Sequence, residues 1–209
     1  LYREEIKNAR LIANPGCYST CSILSLLPFV KAGVIDTSTI VIDAASGASG
    51  AGRGLSTSNL LCETNENYRA YKIASHRHTA EIEQILKLDV PLVFTPHLLP
   101  INRGILTTIY ADLKMDATVS DLKKMAEDFY AGEEFVRIIE GNESAEIRWI
   151  KGSNYFDMNV FKDNRTKKLI ITSALDNLVK GAAGQAIQNM NLMFGLEENT
   201  GLTDLGVFP

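Results

Sequence analysis

The chain has 209 residues, 45% of them hydrophobic, and a net charge of -4. That length is ample for a buried core. The evenly mixed charges form no basic stripe, which argues against a nucleic-acid partner, and no apolar run approaches the roughly 18 residues of a membrane span. Three cysteines at irregular spacings make no disulfide framework and suit a reducing compartment. The start, residues 1–10, lacks a signal-peptide pattern, so a cytoplasmic protein is expected.

Residues 10–13 are a short apolar run stopped by Asn14-Pro15-Gly16, which is turn chemistry. Residues 22–32 read as a helix, with Ile23, Leu24, Leu27 and Val30 on one face, Gly33 as its stop and Pro28 expected to kink or split it. Residues 39–44 (TIVIDA) read as a strand and 46–54 as a Gly/Ser loop. A helix is expected over 79–88, strands over 91–95 and 105–113, and a helix over 120–130 capped by Ser120. Further strands are expected over 136–139, 155–161 and 169–174, with a turn at Asn164-Arg165. A long helix over 177–194 closes the pattern. Strands outnumber helices and several are joined by short turns. The expected fold is therefore α+β, a mixed, largely antiparallel sheet with helices on one face. No G-x-G-x-x-G joins an opening strand to a helix.

Cys17 follows a tight turn and precedes a helix. Backbone N–H groups at a helix start favour a thiolate, so a lowered thiol pKa is expected, and they can hold an oxyanion. The alternative is a small buried core residue. Cys21 and Cys62 read as packing residues, and a Cys17–Cys21 bridge suits helix geometry badly. His76 and His78 are candidates for the base a Cys nucleophile needs, unless one caps a helix or lies on the surface. Glu81, one turn beyond His78, is placed to orient its ring or to line the substrate pocket. A His-x-His metal site would need further ligands, for which only His97 and the cysteines are on offer, so no metal is expected. The loop at residues 46–54, with Ser49, Gly50 and Arg53, suits a phosphate nest or a plain connection. Arg103, before a strand, suits a bidentate carboxylate clamp or a surface ion pair.

Together these segments are far more specific than any one alone. Asn14-Pro15-Gly16-Cys17-Tyr18-Ser19-Thr20 resembles the active-site signature of the N-acetyl-γ-glutamyl-phosphate reductase family, relatives of aspartate-semialdehyde dehydrogenase. The resemblance continues through the loop from Ser46 to Arg53, His76-Arg77-His78, the stretch from Pro96 to Gly104, Gly152-Ser153-Asn154-Tyr155 and the stretch from Asp176 to Ala186. Phe156 and Ala80 depart from the pattern, where a small residue or cysteine and a proline are expected.

The resemblance implies a glyceraldehyde-3-phosphate dehydrogenase-like C-terminal domain and NADP(H)-dependent reduction of an acyl phosphate through a Cys17 thioester. His78 is the favoured acid/base and His76 the second candidate. Arg53 and Arg103, with Ser49, Gly50 and Glu81, are expected at the substrate, and Asn177, Gly181 and Gly184 at the nicotinamide. Residues 1–176 would be catalytic and oligomerising, and 177–209 would pack on a dinucleotide-binding domain that this chain does not carry, so alone it would be inactive. A homo-oligomer is expected. Other readings are the carrier-linked aminoadipate-phosphate reductase of lysine synthesis, a Cys/His hydrolase, or a non-catalytic phosphate-binding or assembly module.

Overall fold

A computed structural model describes residues 1–208. The chain opens with helices α1 (Arg3–Lys7) and α2 (Cys17–Ala32) and strand β1 (Ile35–Gly47). Two 3₁₀ turns (Ala48–Ala51 and Thr57–Asn59), α3 (Leu61–Thr64), β2 (Arg69–Ala70) and α4 (His78–Leu86) follow. Then come β3 (Val93–Leu99), β4 (Ile105–Leu113), α5 (Val119–Phe129), β5 (Val136–Ile138) and α6 (Ile147–Ile150). Strands β6 (Phe156–Asp163) and β7 (Lys168–Leu175) lead into a π-helical turn (Val179–Ala183) and α7 (Gly184–Met193).

The strands form one seven-stranded sheet in the order β2-β3-β1-β4-β7-β6-β5. The β1–β3 and β5–β6 pairs are parallel and the other pairs antiparallel, so the expected mixed, largely antiparallel α+β fold is the one observed. Side-chain alternation decides which face is covered. In β4, Ile105, Thr107, Ile109 and Ala111 are buried beneath helices α2, α4 and α5, while Leu106, Thr108 and Tyr110 point to the other face. There the short α6 packs, with Ile147 and Ile150 near Leu106 and Ala174.

Helix α2 is the central helix. It lies between the sheet on one side and α4 and α5 on the other, and its residues 18–29 are buried except Leu24. It begins at Cys17, five residues before the expected start, because the small polar residues at 19, 20 and 22 are themselves buried. Pro28 does not split it. The proline removes the donor that would have served the carbonyl of Leu24, and the Tyr130 hydroxyl donates to that carbonyl instead at 2.6 Å.

Two other expectations are corrected. Helix α5 is capped by Thr118 rather than Ser120, because Thr118 and Asp121 satisfy each other's backbone N–H groups in a capping box. The closing helix does not start at Asn177. The Asp176 carboxylate accepts from the N–H groups of Leu178 and Val179, and i→i+5 bonds run from Gly181 N–H to Asp176 O and from Ala183 N–H to Leu178 O. The result is the π turn, a feature that often lies at functional sites.

Strand direction brings the candidate residues to one end of the sheet. Gly47 pairs with Leu99, Ser46 with Ile105, and Ile105 with Leu175. The ends of β1, β3 and β7 and the start of β4 therefore lie side by side, and the loop holding Ser49, the turn holding Arg103 and the π turn all emerge there.

Candidate active site

Cys17 is the first residue of α2, with Gly16 as an extended N-cap. The turn before it is gripped from three sides. Both Glu81 carboxylate oxygens are taken up, accepting from Gly16 N–H at 3.0 Å and from the Ser19 hydroxyl at 2.6 Å. Asn14 donates to Ala182 O at 3.1 Å and accepts from the Asn189 amide at 3.0 Å, which ties the turn to the closing helix. Gly181 lies directly against Cys17: a Cβ there would come within 2.7 Å of Cys17 Cβ. Glu81 is thus engaged by the turn that leads into Cys17.

The backbone N–H groups of Cys17 and Tyr18 point to the sulfur and lower its pKa, as does the charge of nearby Arg77. Burial outweighs them, and the net direction is upward. The expected depression of the thiol pKa is therefore corrected for this chain, because desolvation penalises the thiolate more than the helix start favours it. Cys21 is fully buried beside Thr107 and Ser173, and burial pushes it up to about 12. Cys62 is exposed.

The two candidate histidines differ in role. His76 is buried among Tyr18, Tyr71 and Phe94, and its Nδ1 accepts from the backbone N–H of His78, so it caps the first residue of α4. Burial, then the neighbouring His78, Lys72 and Arg77, lower its pKa to about 4, which keeps it neutral. The His78 ring lies over Gly16: a Cβ at position 16 would fall 2.1 Å from its Nε2. Burial lowers the His78 pKa, and Glu81 opposes that shift. Its Nδ1 is buried without a hydrogen-bond partner among the described residues.

The remaining candidates form a second group. Asn177 is buried; its Oδ1 accepts from Gly104 N–H at 2.6 Å and its Nδ2 donates to Ser49 Oγ at 3.0 Å. The Ser49 loop and the Arg103 turn are further joined by Ala48 N–H to Ile101 O and Ser49 N–H to Asn102 O, and Gly50 stacks over Ser46 Oγ. Gly184 is closed in by Asn154 and Val179. The Asn177 amide is thus engaged at both ends, and Gly181 and Gly184 are packed inside the π turn and its exit. Arg103 Nε lies 2.7 Å from the buried Asp176 carboxylate. Arg53 is exposed, with no hydrogen-bond or ion-pair partner among the described residues, so the structure does not bring it to Cys17 by any contact. Asn14, Arg77 and Asp176 were missed as site-building residues. Asn14 and Asp176 open, and Arg77 lies within, segments that the sequence singles out, but nothing local gives them these roles.

The semialdehyde dehydrogenase dimerisation-domain family model matches residues 17–177. This chain belongs to that family. It is 55% identical, over 99% of its length, to the N-acetyl-gamma-glutamyl-phosphate reductase of Lachnoclostridium phytofermentans, and 52% identical over 97% to that of Campylobacter jejuni subsp. jejuni serotype O:6. The family resemblance read from the motifs is thus met. The chain spans 61% and 60% of the lengths of those two relatives. Among solved structures, aspartate semialdehyde dehydrogenase II from Vibrio cholerae matches with a TM-score of 0.75 at 17% identity, covering 93% of this chain and 66% of that one. A probable aspartate-semialdehyde dehydrogenase from Pseudomonas aeruginosa matches with a TM-score of 0.72 at 16% identity, covering 92% and 66%. At those identities the likeness shows that this dimerisation domain shares their fold.

Proposed function

We propose that this chain is the acyl-transfer and assembly part of a reductase that converts N-acetyl-γ-glutamyl phosphate to N-acetylglutamate semialdehyde and phosphate, with NADP(H) as reductant. One observation carries the reading: a cysteine at the first turn of a buried helix, with a histidine ring packed over the glycine before it. The names of the relatives support the substrate and a place in arginine synthesis.

The chemistry derived from this chain is the acyl-transfer half. His78, kept neutral by burial, accepts the Cys17 thiol proton at Nε2. The thiolate forms a bond to the γ-carbonyl carbon, the carbon–oxygen bond to phosphate breaks, and phosphate leaves with that electron pair. The helix-start N–H groups stabilise the intervening oxyanion. His76, capping α4, positions His78 rather than exchanging the proton. Arg103, beside the Ser49 loop, is the cation for the substrate carboxylate. Asn177, Gly181 and Gly184 are the part of this chain that would face the nicotinamide, from one side only. The cofactor is to be held by a separate dinucleotide-binding domain, and residues 1–176 and 177–209 are its catalytic and docking neighbours. In support, Ile187, Met190 and Phe194 on the closing helix are 37%, 44% and 75% exposed.

Self-association belongs to the same proposal. On the uncovered sheet face, Val93, Val41, Tyr110, Ile170 and Phe161 stand in one register row across five strands. That row is an apolar band fit to meet its copy, and the family's description as a dimerisation domain supports it.

The test is to add the acyl phosphate without NADP(H). One equivalent of phosphate per chain, with an N-acetylglutamyl thioester located on Cys17 by mass spectrometry and none on Cys17→Ser, is the expected result. Continuous phosphate release with no adduct would make the protein a hydrolase and overturn the reading.

A further inference from the structure

The Arg103 guanidinium is held from behind. Its Nε lies 2.7 Å from Oδ2 of Asp176, whose side chain has no exposure, while the arginine side chain keeps 29%. The contact is an ion pair and not a hydrogen bond, since Arg103 Nε is buried without a hydrogen-bond partner among the described residues. Asp176 is itself fixed in place. Its Oδ2 accepts from Gly152 N–H at 2.6 Å and its Oδ1 from Leu178 N–H at 2.8 Å and Val179 N–H at 3.2 Å. Its carbonyl accepts from the N–H of Gly181, the residue packed against Cys17. One residue therefore both pairs with the Arg103 charge and closes the turn that abuts Cys17.

We infer that Asp176 is a positioning residue: it anchors Arg103 through Nε, leaving the two terminal nitrogens to bind the carboxylate of the substrate at a set distance from Cys17. The inference rests on the reductase reading and deepens it. The chemistry favours an arginine at this place. A guanidinium spreads its charge over three nitrogens, so it can pair with Asp176 through Nε and still offer two terminal donors to a carboxylate, whereas a lysine ammonium drawn to Asp176 has a single charged centre. Asp176 supplies the buried countercharge without which a partly buried arginine would seek another partner.

The experiment is a double-mutant cycle in the full-length reductase, with the dinucleotide-binding domain present, comparing Arg103→Ala, Asp176→Asn and the double variant. Asp176→Asn should raise KM for the acyl phosphate about tenfold or more, as expected for a misdirected charge-assisted pair. The values of kcat and of KM for NADPH should stay within about twofold. In the Arg103→Ala background Asp176→Asn should add less than about twofold, because the two act as one unit. Multiplicative effects, or a fall in kcat with unchanged acyl-phosphate KM, would overturn the anchor. Arg103→Lys serves if Asp176→Asn does not fold. It should raise KM as much as Arg103→Ala, and a wild-type KM would overturn the proposal. Calorimetric titration with N-acetyl-L-glutamate separates this idea from the reductase reading. If the enzyme proves not to reduce the acyl phosphate, weakened binding in Arg103→Lys still supports the anchor, and unchanged binding sinks it.

Discussion

The imidazole of His78 occupies the space that any side chain at position 16 would need, with Nε2 2.1 Å from where a Cβ would stand. Gly16→Ala should therefore push the ring off the nucleophile turn. Overpacking of this kind costs roughly 1–3 kcal/mol. The expected outcome is a modest fall in melting temperature with a loss of thioester formation on the order of 10²-fold, since a misplacement of about 1 Å can cost that much. Single-turnover phosphate release beside a thermal melt checks it. A normal rate in a destabilised protein would remove His78 from the acyl-transfer step.

Thiol reactivity in this chain should follow exposure rather than proximity to the helix start. Cys62 is exposed, Cys17 is half-buried with its thiol pKa raised, and Cys21 is fully buried. Iodoacetamide should label Cys62 first, Cys17 next and Cys21 only on unfolding. Arg77→Ala should slow labelling of Cys17 at neutral pH, because Arg77 is the nearby cation that lowers its pKa. Peptide mapping after timed quenching reads both, and labelling of Cys21 ahead of Cys17 would contradict the burial pattern.

His76 makes stability depend on pH. Its folded-state pKa is lowered to about 4, so between pH 6.5 and 4 the unfolded chain binds a proton that the folded chain refuses. Its contribution is fully present above about pH 6.5 and is lost as pH falls toward 4. Melting temperatures across that window should fall more steeply for the wild type than for His76→Gln. Parallel curves would mean that the imidazole is not the group responsible.

The Tyr130 hydroxyl serves the Leu24 carbonyl left without a donor by Pro28. Tyr130→Phe should cost roughly 1–3 kcal/mol by leaving that acceptor unpaired. Pro28→Ala restores an intrahelical donor, so Tyr130→Phe should cost much less in that background. Denaturant unfolding of the four proteins tests the coupling, and additive costs would show that the hydroxyl has no special tie to the proline.

On the outer sheet face, Val41→Asp should convert a self-associated protein to monomer with little change in melting of the monomer itself. Val41 is 38% exposed and sits mid-row between Val93 and Tyr110. Sedimentation at several concentrations decides, and an unchanged oligomer would locate the interface elsewhere.

Much of this protein is determined locally and was legible from residues alone. Strand β4 lies where the alternation from Ile105 to Leu113 puts it, because period-2 patterning needs only one buried face. The nucleophile turn is equally local, since proline and glycine restrict the backbone before any packing occurs. What the tertiary structure alone decided involves partners distant in sequence. Glu81 lies 65 residues from Gly16, and only folding shows that its carboxylate accepts from that N–H. Nothing near Asn177 in sequence shows that Gly104 and Ser49 engage both ends of its amide. The Cys17 thiol followed the same rule: the helix start that lowers its pKa is written in adjacent residues, but the larger desolvation comes from surrounding elements that no local window contains.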